Sequence, residues 1–132
     1  DHYRRLLGPA AARQVPCFCT NPDRIMLTAV GQRFGSGEIA DLYERLGGSV
    51  TRIGKPYPAI YEAALALAGN PDRHDVVCVG DSVEHDIAGG QAAGVATALV
   101  VSGILADSGD PAGLFDEFNA HADYMLDAFR WR

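Results

Sequence analysis

The chain has 132 residues, 48% hydrophobic and 21% charged, with a net charge of −6. That is the composition of a folded chain with one modest core or two partial ones, and it excludes a disordered tail. The negative charge argues against nucleic acid or an anionic membrane as partner, because gripping phosphates across a surface needs clustered Lys and Arg. No apolar run nears the ~18 residues of a membrane span, and DHYRRLL lacks the apolar stretch of a signal peptide, so a cytoplasmic location is expected.

VPCFCT, residues 15 to 20, reads as a short strand that ends in the turn formers of TNPD. Strand alternation puts Cys17 and Cys19 on one face, and with Cys78 the chain has three cysteines. Buried, reduced thiols are expected, since no CxxC or His spacing accompanies them. Residues 21 to 36 show no clean period, and a connection of that length in a compact domain is usually functional or mobile.

In SGEIADLYERLGG, Ile39, Leu42, Tyr43 and Leu46 recur at i, i+3, i+4 and i+7, which predicts a helix capped by Ser36 and stopped by Gly47 and Gly48. SVTRIG, 49 to 54, alternates as a weak strand. After KPYP a second helix carries Ile60, Tyr61, Ala64, Leu65 and Ala68 on one face and ends at Gly69 and Pro71. Val76 to Val79 lack polar alternation, the pattern of a parallel strand covered on both faces, and helix follows to Ala93, with Gly94 as terminator. VATALVV, 95 to 101, is another such strand. Asp110 and Pro111 predict an N-cap and N1 pair for a helix to about Asn119, and ADYMLD a last short strand. Strand and helix alternate strictly from residue 50, so the expected class is α/β with a partial doubly wound parallel sheet, whose ligands bind beyond the carboxyl ends of the strands.

Two constellations lie at such ends. In VVCVGDSVEHDIAGG, Gly80 lets the backbone turn sharply and Asp81 then stands at the sheet mouth, where a carboxylate suits a hard cation such as Mg²⁺. Asp86, about a helical turn on, could face the same cation, ligate through water, or accept hydrogen bonds from the loop that carries Asp81; it is assigned the supporting role. The plainer alternative is that Asp81 N-caps the following helix, a task Ser82 could share. In IGKPYP, Lys55 follows a glycine at a strand end and two prolines restrict the chain after it. A lysine brought near Asp81 would offer a phosphate its cation and offset repulsion between the carboxylates, whereas a solvated loop lysine would do neither.

GKPYP, an amphipathic helix and VVCVGDSVEHDIAGGQAAGVATALVVSGI, in that order, closely resemble the third and fourth motifs of the haloacid dehalogenase (HAD) superfamily. CTNPD, FGSGEIADLYERLGG and IGKPYPAIYEAAL resemble the end of the cap and its return to the core in HAD subclass IIA, so the resemblance runs over roughly residues 15 to 104. It implies a Mg²⁺-dependent phosphatase of small phosphomonoesters, in which an aspartate attacks phosphorus and the aspartyl-phosphate is then hydrolysed by water. It makes Lys55 the phosphate and nucleophile-orienting lysine, Asp81 the metal ligand and Asp86 the supporting acid, with metal contacts assigned to Asp81 and Asp86. Asn21 and Asp23 become substrate-recognition residues of the cap. His85 receives no general-base role and is expected to be partly solvated. The implied organisation is the end of a cap domain at 1–53 and the later part of the core at 54–132.

The family's nucleophile, the first aspartate of a DxDG motif, is not found, since no DxD occurs in the sequence and DSGD at 107 to 110 has the wrong spacing. With Asp1 in place of a starting Met, the expectation is a piece of a longer protein that does not turn over alone. The strand that ends in Asp81 would then pair with the N-terminal part or with a second copy. The competing class is a HAD-like binding protein without a nucleophile, which the upstream sequence would distinguish. A phosphorelay receiver fits poorly, because here the lysine precedes the acidic motif. Dinucleotide binding fails because Asp81 and Glu84 put negative charge where a pyrophosphate needs bare N–H groups. Substrate choice among sugar phosphates, nucleotides and other phosphomonoesters stays open.

Overall fold

A computed structural model describes residues 2–28, 30–102, 105 and 111–130. The chain divides into two compact units, Asp1–Gly54 and Lys55–Arg132.

The first unit opens with a helix, α1 (His2–Ala12), followed by a strand, β1 (Cys17–Cys19). The expectations above contain no counterpart of α1, because Gly8 and Pro9 interrupt its apolar pattern. An antiparallel hairpin, β2 (Ile25–Thr28) and β3 (Gly31–Phe34), occupies the stretch that has no period. Next come a helix, α2 (Ser36–Arg45), and a strand, β4 (Val50–Arg52). The strict alternation from residue 50 would set β4 beside the next strand of the chain. Instead β4 lies parallel to β1, with Phe18 opposite Thr51, because Cys17 and Ile53 donate from their amides to Ser49 and Cys19.

The cap of α2 is Gly35 and not Ser36, which is the first helical residue and donates its hydroxyl to the Asn21 carbonyl at 2.6 Å. The fully buried line of α2 is Gly37, Ala40 and Tyr43, with Ile39, Leu42 and Leu46 half-buried. Tyr43 sets that rotation by donating its hydroxyl to the Val15 carbonyl at 2.6 Å.

An ion-pair network fastens α2 to the chain on either side. Asp41 accepts from Arg24 at 2.5 Å and from Arg52 at 2.6 Å, and Arg52 also forks onto Glu44 at 2.7 and 2.8 Å. The Arg24 hydrogen bond, then that of Arg52, holds the Asp41 carboxyl below the usual carboxylate range in spite of partial burial. A depressed folded-state value means that the contribution is complete above the unfolded carboxylate value of ~3.9 and is lost as pH falls through the folded one. Asp41→Asn is therefore expected to flatten the loss of stability of the chain as pH falls below about 4 while lowering stability at pH 7. Urea melts across that range check it, and parallel acid limbs for the two proteins would refute it.

The second unit runs helix, α3 (Pro58–Leu67), strand, β5 (Val77–Gly80), a wide π turn over Val83–Ile87 that continues into α4 (Ala88–Ala92), then β6 (Ala96–Val100), α5 (Ala112–Phe118) and β7 (Tyr124–Leu126). The three strands form one parallel sheet in the order β5-β6-β7, the α/β arrangement expected from the alternation. Pro111 itself caps α5 instead of taking its first turn, and Asp110 and DSGD lie outside the described residues. Asn119 ends α5 in the left-handed region, which asparagine tolerates.

Leu99 and Ile87, both fully buried, centre one apolar cluster with Val83, Leu105 and Ala120. Leu65, Ala93 and Val95 centre another. β6 has its three middle residues buried, as a central strand should. β5 departs from the reading of a strand covered on both faces: Val77 is 49% exposed. Among the described strands β5 pairs only with β6, and an apolar trough of about 380 Å³ opens beside it, lined by Ile60, Ala64, Leu65, Val76 and Val77 among others. The apolar face predicted for α3 is thus present but only partly covered, with Ile60 43% exposed.

Candidate active site

β5 delivers its chain to the carboxyl end of the sheet at Gly80, and the next six residues build the site. Ser82 caps the π turn, its hydroxyl accepting from the His85 amide at 3.1 Å. The residue that caps the turn is thus the neighbour of Asp81. Asp81 is half-buried at the strand end. The π turn widens the backbone where an α-helix would have closed it, a distortion often found at functional sites.

Asp86 turns back towards the strand it follows. Its residue is 3% exposed, and its Oδ2 accepts from the Ser82 amide at 3.1 Å. Its Oδ1 accepts from Lys55 Nζ at 2.5 Å, across 31 residues of sequence. The carboxyl lies directly over Gly80: a Cβ built there would stand 2.1 Å from the Asp86 carboxyl carbon. The glycine before Asp81 therefore does more than permit a turn. It vacates the volume that Asp86 fills.

Lys55, half exposed, is the first residue of the second unit, and its bond to Pro56 is cis. Its ammonium reaches the same end of β5 as the Asp81 loop, through Asp86. Tyr61 on α3 secures the loop from below by donating its hydroxyl to the His85 carbonyl at 2.7 Å. Burial, then the proximity of Cys78 and Asp86, pushes the Tyr61 phenol up, so it stays a donor. Burial likewise raises the Cys78 thiol, with the Asp86 charge adding to it, which keeps that cysteine protonated and inert. All three cysteines are free, Cys19 buried and the others half-buried.

His85 is largely enclosed, its side chain 17% exposed, and Nδ1 lies 3.0 Å from the Ser82 hydroxyl. That contact ties it to the loop cap. Asn21 and Asp23 belong to the first unit, Asn21 exposed and Asp23 half-buried, with the Asp23 amide donating to Asn21 Oδ1 at 3.4 Å.

Among the described residues no three His, Cys, Asp or Glu side chains converge as a metal cage. The Asp81 carboxylate at the strand mouth, beside an ammonium-neutralised Asp86, suits Mg²⁺, because that ion binds through one or two carboxylates, keeps several waters and takes further oxygens from a bound phosphate. Sequence reasoning missed Tyr61 as a support of this loop and named Ser82 only as a residue that could share the cap. Tyr61 appears in the pattern only as one apolar member of a helical face, and nothing in that pattern announces a phenol aimed at a carbonyl 24 residues away.

A family model described as HAD-hydrolase-like matches residues 52–130. The dihydroxyacetone phosphatase of Corynebacterium glutamicum (strain R) is 36% identical over 91 residues, 68% of this chain and 33% of that protein. The pyrimidine 5'-nucleotidase YjjG of Escherichia coli (strain K12) is 53% identical over 45 residues, 34% of this chain and 20% of its own. Among solved structures, the p-nitrophenyl phosphatase from Archaeoglobus fulgidus superposes with a TM-score of 0.79 and 32% identity over 94% of this chain and 49% of that one. The chain thus spans a third or less of these curated relatives and about half of the solved structure. With more than half of its residues inside the family match, the Lys55 to Asp86 segment included, the chain belongs to the HAD hydrolase-like family.

Proposed function

We propose that this chain is the carboxyl-terminal part of a Mg²⁺-dependent phosphatase of HAD subclass IIA that cleaves a small phosphomonoester, with the attacking aspartate supplied by sequence upstream of Asp1. The observation that carries the reading is the Lys55–Asp86 pair, 2.5 Å long, at the carboxyl end of β5 beside Asp81. The cation is held there by a buried carboxylate and still half exposed, so it can meet a phosphate oxygen without leaving its partner. In this reading Asp81 holds Mg²⁺, Asp86 orients Lys55 and the Asp81 loop, and Lys55 orients the phosphate and nucleophile. Mg²⁺ would supply charge neutralisation on the phosphoryl oxygens. Asn21 and Asp23 contribute to recognition of the alcohol part, and residues 1–53 act as the end of a cap.

The phosphatase names of the relatives support a phosphorylated small substrate, and the dihydroxyacetone phosphatase favours compact sugar-type phosphates within that class. The edge of β5 that carries no partner among the described strands, and the apolar trough beside it, suit an upstream strand that would bring the nucleophile next to Asp81. Without it the chain alone is expected to be inert.

The test is a phosphomonoester panel with the full-length gene product, with and without Mg²⁺. Mg²⁺-dependent hydrolysis is expected, with Asp81→Asn lowering kcat by about 10³-fold or more at unchanged stability. Hydrolysis that ignores Mg²⁺, or an Asp81→Asn enzyme as fast as the wild type, would overturn the assignment. A full-length sequence with no acidic strand end upstream would favour a binding protein instead.

A further inference from the structure

Two consecutive residues of the π turn are held by the stretch of chain that leads into α3. Lys55 Nζ meets Asp86 Oδ1 at 2.5 Å, and farther along the same stretch the Tyr61 hydroxyl donates to the His85 carbonyl at 2.7 Å. His85 is also tied at its amide, which donates to the Ser82 hydroxyl at 3.1 Å. A bond to main chain fixes the course of the turn itself, whereas a bond to a side chain fixes only that side chain. Tyr61 packs on the cluster of Leu65, Ala93 and Val95, a task phenylalanine would perform as well, and its hydroxyl reaches past that cluster to the turn.

Gly89 shows that the place of the phenol is reserved. A Cβ built there would stand 2.1 Å from Tyr61 Oη, 2.7 Å from Cζ and 3.0 Å from Cε2, so all three of its nearest neighbours belong to that one side chain. A tyrosine turns about only two side-chain bonds, and a ring pressed aside by a methyl takes its hydroxyl off the carbonyl. Glycine is a poor helix residue, yet the short α4 carries Gly89 and Gly90 side by side, both buried. Gly90 makes room for Thr97 and Cys78 of the sheet, at 2.8 and 2.9 Å from its Cβ position, and Gly89 makes room for Tyr61.

The turn so held has Asp81 just before it and Asp86 within it. Groups that orient a metal ligand without touching the metal are commonly worth about 10–100-fold in affinity or activity. Resting on the phosphatase reading above, we propose that Tyr61, seated by Gly89, is a positioning residue that fixes the π turn, and with it the spacing of Asp81 from the Lys55–Asp86 pair, for Mg²⁺-dependent phosphate ester cleavage.

Tyr61→Phe keeps the ring and removes the bond. In the full-length enzyme it should raise the Mg²⁺ concentration for half-maximal rate by about fivefold or more and lower kcat at saturating Mg²⁺ by about tenfold, with KM for the best ester of the panel within about threefold. A second readout needs no turnover: the Mg²⁺ concentration that gives half of the full rise in Tm, measured without ester, should move by the same factor. A role confined to packing would lower Tm and leave the metal dependence alone. Gly89→Ala should reproduce these shifts by pressing the phenol off the carbonyl. In a Tyr61→Ala background, where the three struck atoms are gone, it should add nothing further. Tyr124→Phe, which alters an exposed phenol on β7, should change neither Mg²⁺ readout.

Should Gly89→Ala fail to fold, Tyr61→Phe decides alone. A folded Tyr61→Phe enzyme with wild-type Mg²⁺ dependence and kcat overturns the proposal, and so does a Gly89→Ala loss that persists undiminished in the Tyr61→Ala background. A wild type that hydrolyses no ester of the panel, or hydrolyses one without Mg²⁺, removes the parent reading instead, and this inference with it.

Discussion

Lys55→Met is expected to lower the stability of the chain by about 1–3 kcal/mol and to lower phosphatase kcat of the full-length protein by about 10²-fold or more. The cost arises because Asp86 is left as a buried carboxylate without its cation, its side chain only 5% exposed. The range is set below that of a fully enclosed pair because the Lys55 side chain is 52% exposed and water already screens its end of the bond. The double variant Lys55→Met with Asp86→Asn separates the two effects. An amide oxygen still accepts from the Ser82 amide, and the unpaired charge is gone, so most of the stability should return. Activity should not return, because no cation then faces the phosphate. Denaturant melts and single-turnover rates on the four proteins check this, and additive stability losses would show that the two residues do not act as a pair.

That pair also marks how far the sequence could be read. Lys55 and Asp81 could be picked out one by one, since each follows a glycine near a strand end where chemistry is commonly displayed, and Asp86 by its spacing about a helical turn beyond Asp81. Their pairing could not, because which carboxylate an ammonium meets depends on how α3 returns the chain to β5. Ser82 took the cap that Asp81 was free to take, a choice between adjacent side chains that propensity does not decide. The hairpin of β2 and β3 escaped notice because its register shows little alternation: Ile25 and Met26 are both largely exposed, at 60% and 41%.

The misreading of β5 is more informative. Its unbroken apolar run does describe a strand made for cover on both sides, and so does the apolar face of α3 that ends at Ala68. Among the described residues that cover is incomplete, which leaves Val77 and Ile60 open to water. Among the described residues the apolar pattern of β5 and α3 thus exceeds the cover around it.

Gly80→Ala is expected to be destabilising although alanine normally suits a strand better than glycine does, by roughly 0.5–1 kcal/mol. The new methyl would stand 2.1 Å from Asp86 Cγ and 2.2 Å from Oδ2, far inside contact distance, so the carboxyl must leave its place over the strand. It then loses both the Ser82 amide and Lys55, and a net loss of about 1–3 kcal/mol follows from the overpacking together with the broken bonds. The full-length enzyme should lose kcat in step, since the same movement releases the Asp81 loop and Lys55. An Asp86→Gly background supplies the control. With the whole side chain gone, the three nearest atoms that the methyl would strike, Asp86 Cγ, Oδ2 and Cβ, are removed, so Gly80→Ala should there be neutral or mildly stabilising, a reversal of sign that only a steric seat explains. Were Gly80→Ala equally harmful in both backgrounds, the glycine would be required for its own backbone and not for the carboxylate it accommodates.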